Sequence, residues 1–262
     1  MQADKRKLLL QNTAVFIGLI LLWQLVFQLT TDVWGIWKPY MFPNPLGVIR
    51  TFWKLASGNT LLIAIGASLL RVFLGYLLSI VVGGTLGLLI YKVPFLCQIL
   101  KPILLGLQTL PSICWLPFAI LWFGLGENAI LFVIVIGSAF SITLAVEAGM
   151  KSVNPLYIKA ARTMGAGQWK LFTGVILPDS LPHLIVGLKQ GWSFAWRALM
   201  NGEMISATKG LGQILMLGRD LADINQVMCV MLVIIVMGVA IDRLLFGTAE
   251  ARMRKNRGMG GR

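Results

Sequence analysis

The feature that most constrains this chain is a series of apolar runs, each close to the 20 or so residues that a helix needs to cross the hydrocarbon core of a bilayer. Hydropathy places them at about 13–30, 69–91, 101–123, 129–146, 183–205 and 227–246. Six spans of this length use roughly 120 positions and leave loops too short for a catalytic domain. Composition agrees: 57% of the 262 residues are hydrophobic and 13% charged, about half the charged share of a soluble domain. The expected fold class is an all-α membrane protein of about six transmembrane helices. Its chemistry is expected to be gating or conduction.

A net charge of +13 in a soluble protein would suggest a nucleic-acid partner. Here its placement excludes one. Six spans put both termini on one side, and fifteen Lys and Arg fall on that side or at its boundary, against Lys38, Arg50, Lys54, Lys209 and Arg219 on the other. The excess of basic residues on the cytoplasmic face of membrane proteins then sets both termini in the cytoplasm. The basic tail, 248–262, reads as an anchor to an anionic leaflet. The N-terminal KRKLLLQNTAVFIGLILLWQLVFQL has no small-residue cleavage site after it, so an uncleaved first span is expected. Three domains follow: 1–60 as first span and periplasmic connector, 61–247 as core, and 248–262 as tail.

Two spans carry small residues at every fourth position, Gly75, Ser79, Gly83 and Gly87 in one and Gly187, Gly191 and Ala195 in another. Such stripes let helix backbones approach closely. The third span holds Pro102, Pro111 and Pro117, and interior prolines release backbone groups that a cavity or neighbouring helix must satisfy. Either a bent helix lining a pathway or a kinked packing helix accounts for them.

The polar insert at about 147–182 has the design of folded structure. Asn154 and Pro155 make a helix start, and Gly165 is a left-handed stop. Between them Leu156, Ala160, Ala161 and Met164 form an apolar face opposite Lys159, Arg162 and Thr163. A second helical piece, about 168–176, is expected to end at Leu177 and Pro178. So short a helix is marginal alone, so Leu156 and Met164 need another surface to cover them.

The run Lys159-Ala160-Ala161, three residues, Gly165, nine residues, then Val175-Ile176-Leu177-Pro178 resembles the EAA loop of permease subunits of bacterial ABC importers. Lys159 replaces the usual Glu, and Val175 the usual Ile. FPNPLGVIRTFWKL, LPSICWLPFAILWFG and GLGQIL add a resemblance to the nitrate/sulfonate/taurine-type branch over about residues 40–245. This implies a type I importer permease with a methionine-permease-like core in the bacterial cytoplasmic membrane. It also implies a second copy of the chain, two cytosolic ATPases and an extracytoplasmic binding protein. The loop would be the coupling helix, with Leu156, Lys159, Ala160, Ala161, Arg162, Met164, Gly165, Leu177 and Pro178 at the ATPase. ATP and Mg would bind those partners and no cofactor this chain, which has no Gly-Lys dipeptide for a phosphate-binding loop. The solute would be a small anion such as a sulfonate, taurine or nitrate.

For the pathway the candidates are Arg197, Trp196, Glu203, Pro111 and Pro117. An arginine within a span is costly enough to demand a cavity or a partner. Arg197 and Glu203 stand about 120° apart on one helix, a poor geometry for a mutual pair. Arg197 either faces the pathway and stabilises an anion, pairs with Glu127 or Glu203 of another segment, or snorkels to the interface. Arg71 and Lys189 are expected to be interfacial anchors. The lone His183 and the scattered Cys97, Cys114 and Cys229 make no metal or catalytic constellation, and the serines have no neighbouring base. An ion-coupled secondary transporter is the alternative of a different class.

Overall fold

A computed structural model of the chain describes residues 2–38, 40–206, 208–248 and 253. Every regular element among them is a helix: α1 (Gln2–Phe27), α2 (Pro45–Ser57), α3 (Thr60–Lys92), α4 (Pro94–Thr109), α5 (Leu116–Phe123), α6 (Glu127–Lys151), α7 (Pro155–Thr163), α8 (Gln168–Leu171), α9 (Leu177–Ile205), α10 (Leu211–Asp220) and α11 (Ile224–Asp242). The expected basic tail lies almost wholly outside the described residues.

By length and apolar composition four helical stretches can cross a membrane: Thr60–Lys92, Glu127–Lys151, Gln168–Ile205 and Ile224–Gly247. The third expected span is broken. α4 and the following Ser112–Phe123 arm meet at a 101° bend, so together they count as a fifth span only as a bent pair. Pro111 explains the break: it has no N–H to donate and it pushes the residue before it out of helical geometry. Leu110 is accordingly extended, at φ −70° and ψ 126°. The first expected span falls in α1 and the π-helical turn Gln28–Val33 after it, where the apolar stretch Ile17–Thr31 is shorter than the others.

The described residues divide into two compact units, one drawn from 1–64 and 214–234, the other from 65–213 and 235–262. In the first, Asn44 caps α2 by accepting from Leu46 N at 3.0 Å. The Asn44 N–H donates to Asn225 Oδ1 at 2.8 Å, and a Cβ on Gly47 would come within 2.7 Å of Asn225 Nδ2. This unit therefore joins segments 181 residues apart by a close approach that only glycine permits.

The second unit is organised around α6, against which α3 and α9 pack. Added Cβ atoms at Gly83 and Gly87 would stand 2.7 Å from the carbonyl oxygens of Ala139 and Thr143, and one at Gly75 2.6 Å from Ile134. From the other side Gly187 lies against Ala145 and Gly191 against Ile142. Between these glycines the Ser138 hydroxyl donates to Ser79 Oγ at 2.7 Å. Val72, Val133, Ile134, Trp192, Ala195 and Leu199 form the core between the helices. The small-residue stripes are thus the surfaces through which α3 and α9 reach α6.

Candidate functional site

Two places in the second unit concentrate polar chemistry: the hairpin that follows α6, and a bend and ion-pair region between α3, the α4–α5 break and α9. The hairpin begins where α6 ends at Lys151. Asn154 caps α7 by accepting from Leu156 N at 2.9 Å, the same Asn-Pro-Leu device that starts α2. Beyond α7, Gly165 adopts φ +80°. Its N–H donates to Arg162 O at 2.9 Å, and that of Ala166 to Ala161 O at 3.0 Å, a paired closure that satisfies two terminal carbonyls.

The return strand of this hairpin is helical throughout. α8 passes through a π turn, Phe172–Ile176, directly into α9, so the helical piece expected to end at Leu177 continues. Pro178 sits in the first turn of α9, where its lack of an N–H costs little because the preceding turn has already shifted register. Leu177 is packed on the hairpin's small core of Met150, Val153, Leu171 and Ile176, as are Ile158 and Ala161.

The expected single apolar face of α7 is therefore split. Ala161 turns inward with Ile158, whereas Ala160 is exposed. Leu156 is 67% exposed, Met164 87% and Trp169 76%. An open groove runs between the two arms, lined by Tyr157, Ala160, Ala161, Met164, Val175 and Pro178. Lys159 and Arg162 are exposed beside it.

The charged residues within the spans are arranged otherwise than expected. Arg71 is no interfacial anchor: it is 4% exposed and Glu203 is fully buried. Arg71 Nη1 donates to Glu203 Oε1 at 2.7 Å and to Lys209 O at 2.6 Å, and Nη2 to Glu127 Oε1 at 2.7 Å. Ser68 Oγ donates to Glu203 at 2.8 Å, Gly212 N to Glu203 Oε2 at 3.0 Å, and Leu211 N to Ser68 Oγ at 3.0 Å. Glu203, expected in the pathway set, is the centre of a closed network. A buried carboxylate needs this number of donors to offset its lost hydration. Sequence spacing hid the pairing, since the partners are 132 residues apart; the available signal was opposite charges within two apolar runs.

Glu147, also buried, accepts from Lys101 Nζ at 2.8 Å and from Lys151 Nζ at 2.7 Å. Lys189 pairs with Asp242 at 3.4 Å. Arg197 remains apart. Its Nε donates to Ser193 O at 3.1 Å, and its guanidinium carbon lies 4.7 Å from the centre of the Phe194 ring. It lines a cavity of about 270 Å³ at the α4–α5 bend with Pro111, Ser112, Phe140 and Asn201. Pro117 sits in the first turn of α5 and does not line this cavity. Trp196 stacks on Trp192 at 6.4 Å and lines a second cavity together with Arg197, Gly238 and Asp242. Phe140, Phe194 and Asn201 carried no motif that could have singled them out, and Ser112 was not distinguished within LPSICWLPFAILWFG.

With this geometry in view, comparison with known proteins decides the family. Residues 75–251 match the model of the binding-protein-dependent transport system inner membrane component. The chain belongs to this family. It is 35% identical over 180 residues to a putative ABC transporter permease protein of Methanocaldococcus jannaschii, and 31% identical over 180 residues to the taurine transport system permease protein of Escherichia coli. Each alignment covers 67% of this chain and 66% of the relative, just under two thirds of those proteins' length. A putative aliphatic sulfonates transport permease protein of Escherichia coli is 28% identical over 230 residues, covering 86% of this chain and 84% of its own.

Solved structures show the fold. An inward-facing methionine ABC transporter superposes with a TM-score of 0.60 at 23% identity, over 75% of this chain and 95% of that one. An amino acid ABC transporter superposes with a TM-score of 0.63 at 14% identity, over 76% and 96%. The chain therefore has the type I fold as an inner membrane component of this family, and its sequence is similar to permeases named for taurine and aliphatic sulfonates.

Proposed function

We propose that the chain is the membrane-spanning subunit of an ATP-driven importer. In this reading it pairs with a second copy, receives a small anionic solute from an extracytoplasmic binding protein, and passes it to the cytoplasm by alternating access. ATP and Mg are held by two cytosolic ATPases, and this chain does no catalysis. Both termini are cytoplasmic.

The observation that carries the reading is the α7–α8 hairpin. Its α7 is capped at both ends and it has its own small core, yet it leaves Leu156, Met164 and Trp169 uncovered. A folded element that exposes large apolar side chains next to a groove is built to meet a partner. Helix-in-groove docking against an ATPase would cover them, and closure of the ATPases around ATP would move the spans through α9, with which the hairpin is continuous. Lys159, in place of an acid, asks for an acidic or neutral position opposite it. The names of the taurine and aliphatic sulfonates relatives support a sulfonate-type solute. The ion-coupled alternative has little support: the buried Glu147 and Glu203 are already ion-paired.

The test is proximity. With Cys97, Cys114 and Cys229 replaced by Ala, Leu156→Cys is expected to crosslink to a co-expressed cognate ATPase, and more strongly in one nucleotide state than another. Crosslinking to no ATPase in any nucleotide state would contradict the reading.

A further inference from the structure

Arg197 is distinguished by what it does not touch. The carboxylates that could neutralise it are engaged elsewhere: Glu127 and Glu203 bind Arg71, and Asp242 binds Lys189. Among the described residues no carboxylate lies within ion-pair distance of it. Its Nε is fixed by Ser193 O and its plane lies near the Phe194 ring, so the side chain is held while the two terminal nitrogens keep their hydrogens for another acceptor. Four residues on, one helical turn away, Asn201 Nδ2 donates to Ser112 Oγ at 2.8 Å. That bond ties α9 to the first residue beyond the bend and leaves the Ser112 hydroxyl hydrogen available.

Resting on the importer reading above, we propose that the cavity beside the α4–α5 bend is an oxoanion subsite, with Arg197 as its charged group and Ser112 as a second donor. Three observations meet there. Backbone that leaves helical geometry within a span is tolerated where it lines a protein-enclosed or water-filled cavity, and Leu110 and Pro111 line this one. The cavity, about 270 Å³, is near the small end of ligand pockets, roughly 300–1,000 Å³. A guanidinium presents a planar pair of N–H groups that matches two oxygens of a sulfonate or similar oxoanion. The rest of the wall is mixed: Gln108 and Thr109 add polar groups, and Leu107, Trp115, Phe140 and Phe194 supply an apolar part that suits a short organic substituent. The chemical class is a singly charged small oxoanion, with an alkyl sulfonate fitting both the charge and the walls.

The experiment uses the complete complex, permease with its ATPase and binding protein, in proteoliposomes. Uptake of ethanesulfonate is measured for wild type, Arg197→Gln, Arg197→Lys and Ser112→Ala, with size exclusion reporting assembly. Arg197→Gln is expected to lower sulfonate uptake by about tenfold or more, the effect of one lost charge-assisted hydrogen-bonding group. Arg197→Lys keeps the charge and loses the fork, so it falls between, and Ser112→Ala loses less. Wild-type uptake by an assembled Arg197→Gln complex would overturn the subsite. So would separation of the two permease copies on that substitution, which would place Arg197 in a pair between copies. ATP-dependent uptake of an uncharged pyrimidine alone would overturn the oxoanion class and leave the importer reading intact. A wild-type complex that drives no ATP-dependent uptake and binds no ATPase would instead remove the reading on which the subsite rests.

Discussion

The Arg71–Glu203 network and the α7–α8 hairpin answer the same physical problem in opposite ways. Each gathers side chains that are expensive where they stand: charges within apolar helices in one, apolar groups in solvent in the other. At the network every demand is met within the chain, by an arginine, a serine hydroxyl and two backbone N–H groups. At the hairpin both ends of α7 are capped but Leu156 and Met164 are left exposed. On the function proposed above, internal closure goes with a scaffold and the unmet remainder with an interface.

Breaking the closed side is expected to have the largest effect. Glu203→Ala leaves Arg71 buried beside Glu127 alone and is expected to cost about 3–5 kcal/mol, read as lost folded yield and a lower unfolding temperature in detergent. Arg71→Met with Glu203→Met is expected to cost less than the sum of the single changes, because neither charge is then left alone. Additivity would dissolve the network as a unit.

Next in size is the α3–α6 seam. Gly83→Ala drives a methyl toward the Ala139 carbonyl, whereas Gly84 has open space at the same position. The first is expected to lose about 1–3 kcal/mol and the second to be neutral or slightly stabilising through helix propensity. Thermal unfolding of the pair reads this difference, and equal stability would show that the small-residue stripe is not a packing surface.

How much of this was legible follows from the range of each interaction. The α7 cap and the Gly165 stop could be read from a few neighbouring residues because they are satisfied within a few residues. The runs that became α6 and α11 were long and uninterrupted, and the glycine stripes had helical spacing. The third span could not be decided from composition: the same run holds Pro102 inside α4 and Pro111 at a 101° bend, and the difference depends on surrounding packing. The roles of Arg71 and Glu203 were hidden for a related reason. Their partners come from α3, α6, α9 and the start of α10, and no local pattern specifies that meeting. The sequence singles out Arg197 for its place in an apolar run, and the engagement of the other acids shows it without a carboxylate.

Smaller effects on stability are expected at the hairpin, with larger ones on coupling. Gly165→Ala places a side chain at φ +80° and is expected to cost about 1–2 kcal/mol locally, lowering ATPase stimulation more than global stability. Leu156→Ser, at an exposed site, is expected to change the unfolding free energy by less than about 0.5 kcal/mol while weakening ATPase association in pull-down. A fall in stability without a fall in association would exchange the roles assigned to the two regions.

The central claim is that the hairpin transmits ATPase motion to the spans. It is tested most directly by ATP hydrolysis of the purified complex in nanodiscs, with and without loaded binding protein, for wild type, Ala161→Glu and Gly165→Asp. The account expects stimulation in wild type and its loss in both variants, with spans that remain folded. Stimulation undiminished in both folded variants, or hydrolysis indifferent to the presence of this chain, would contradict it.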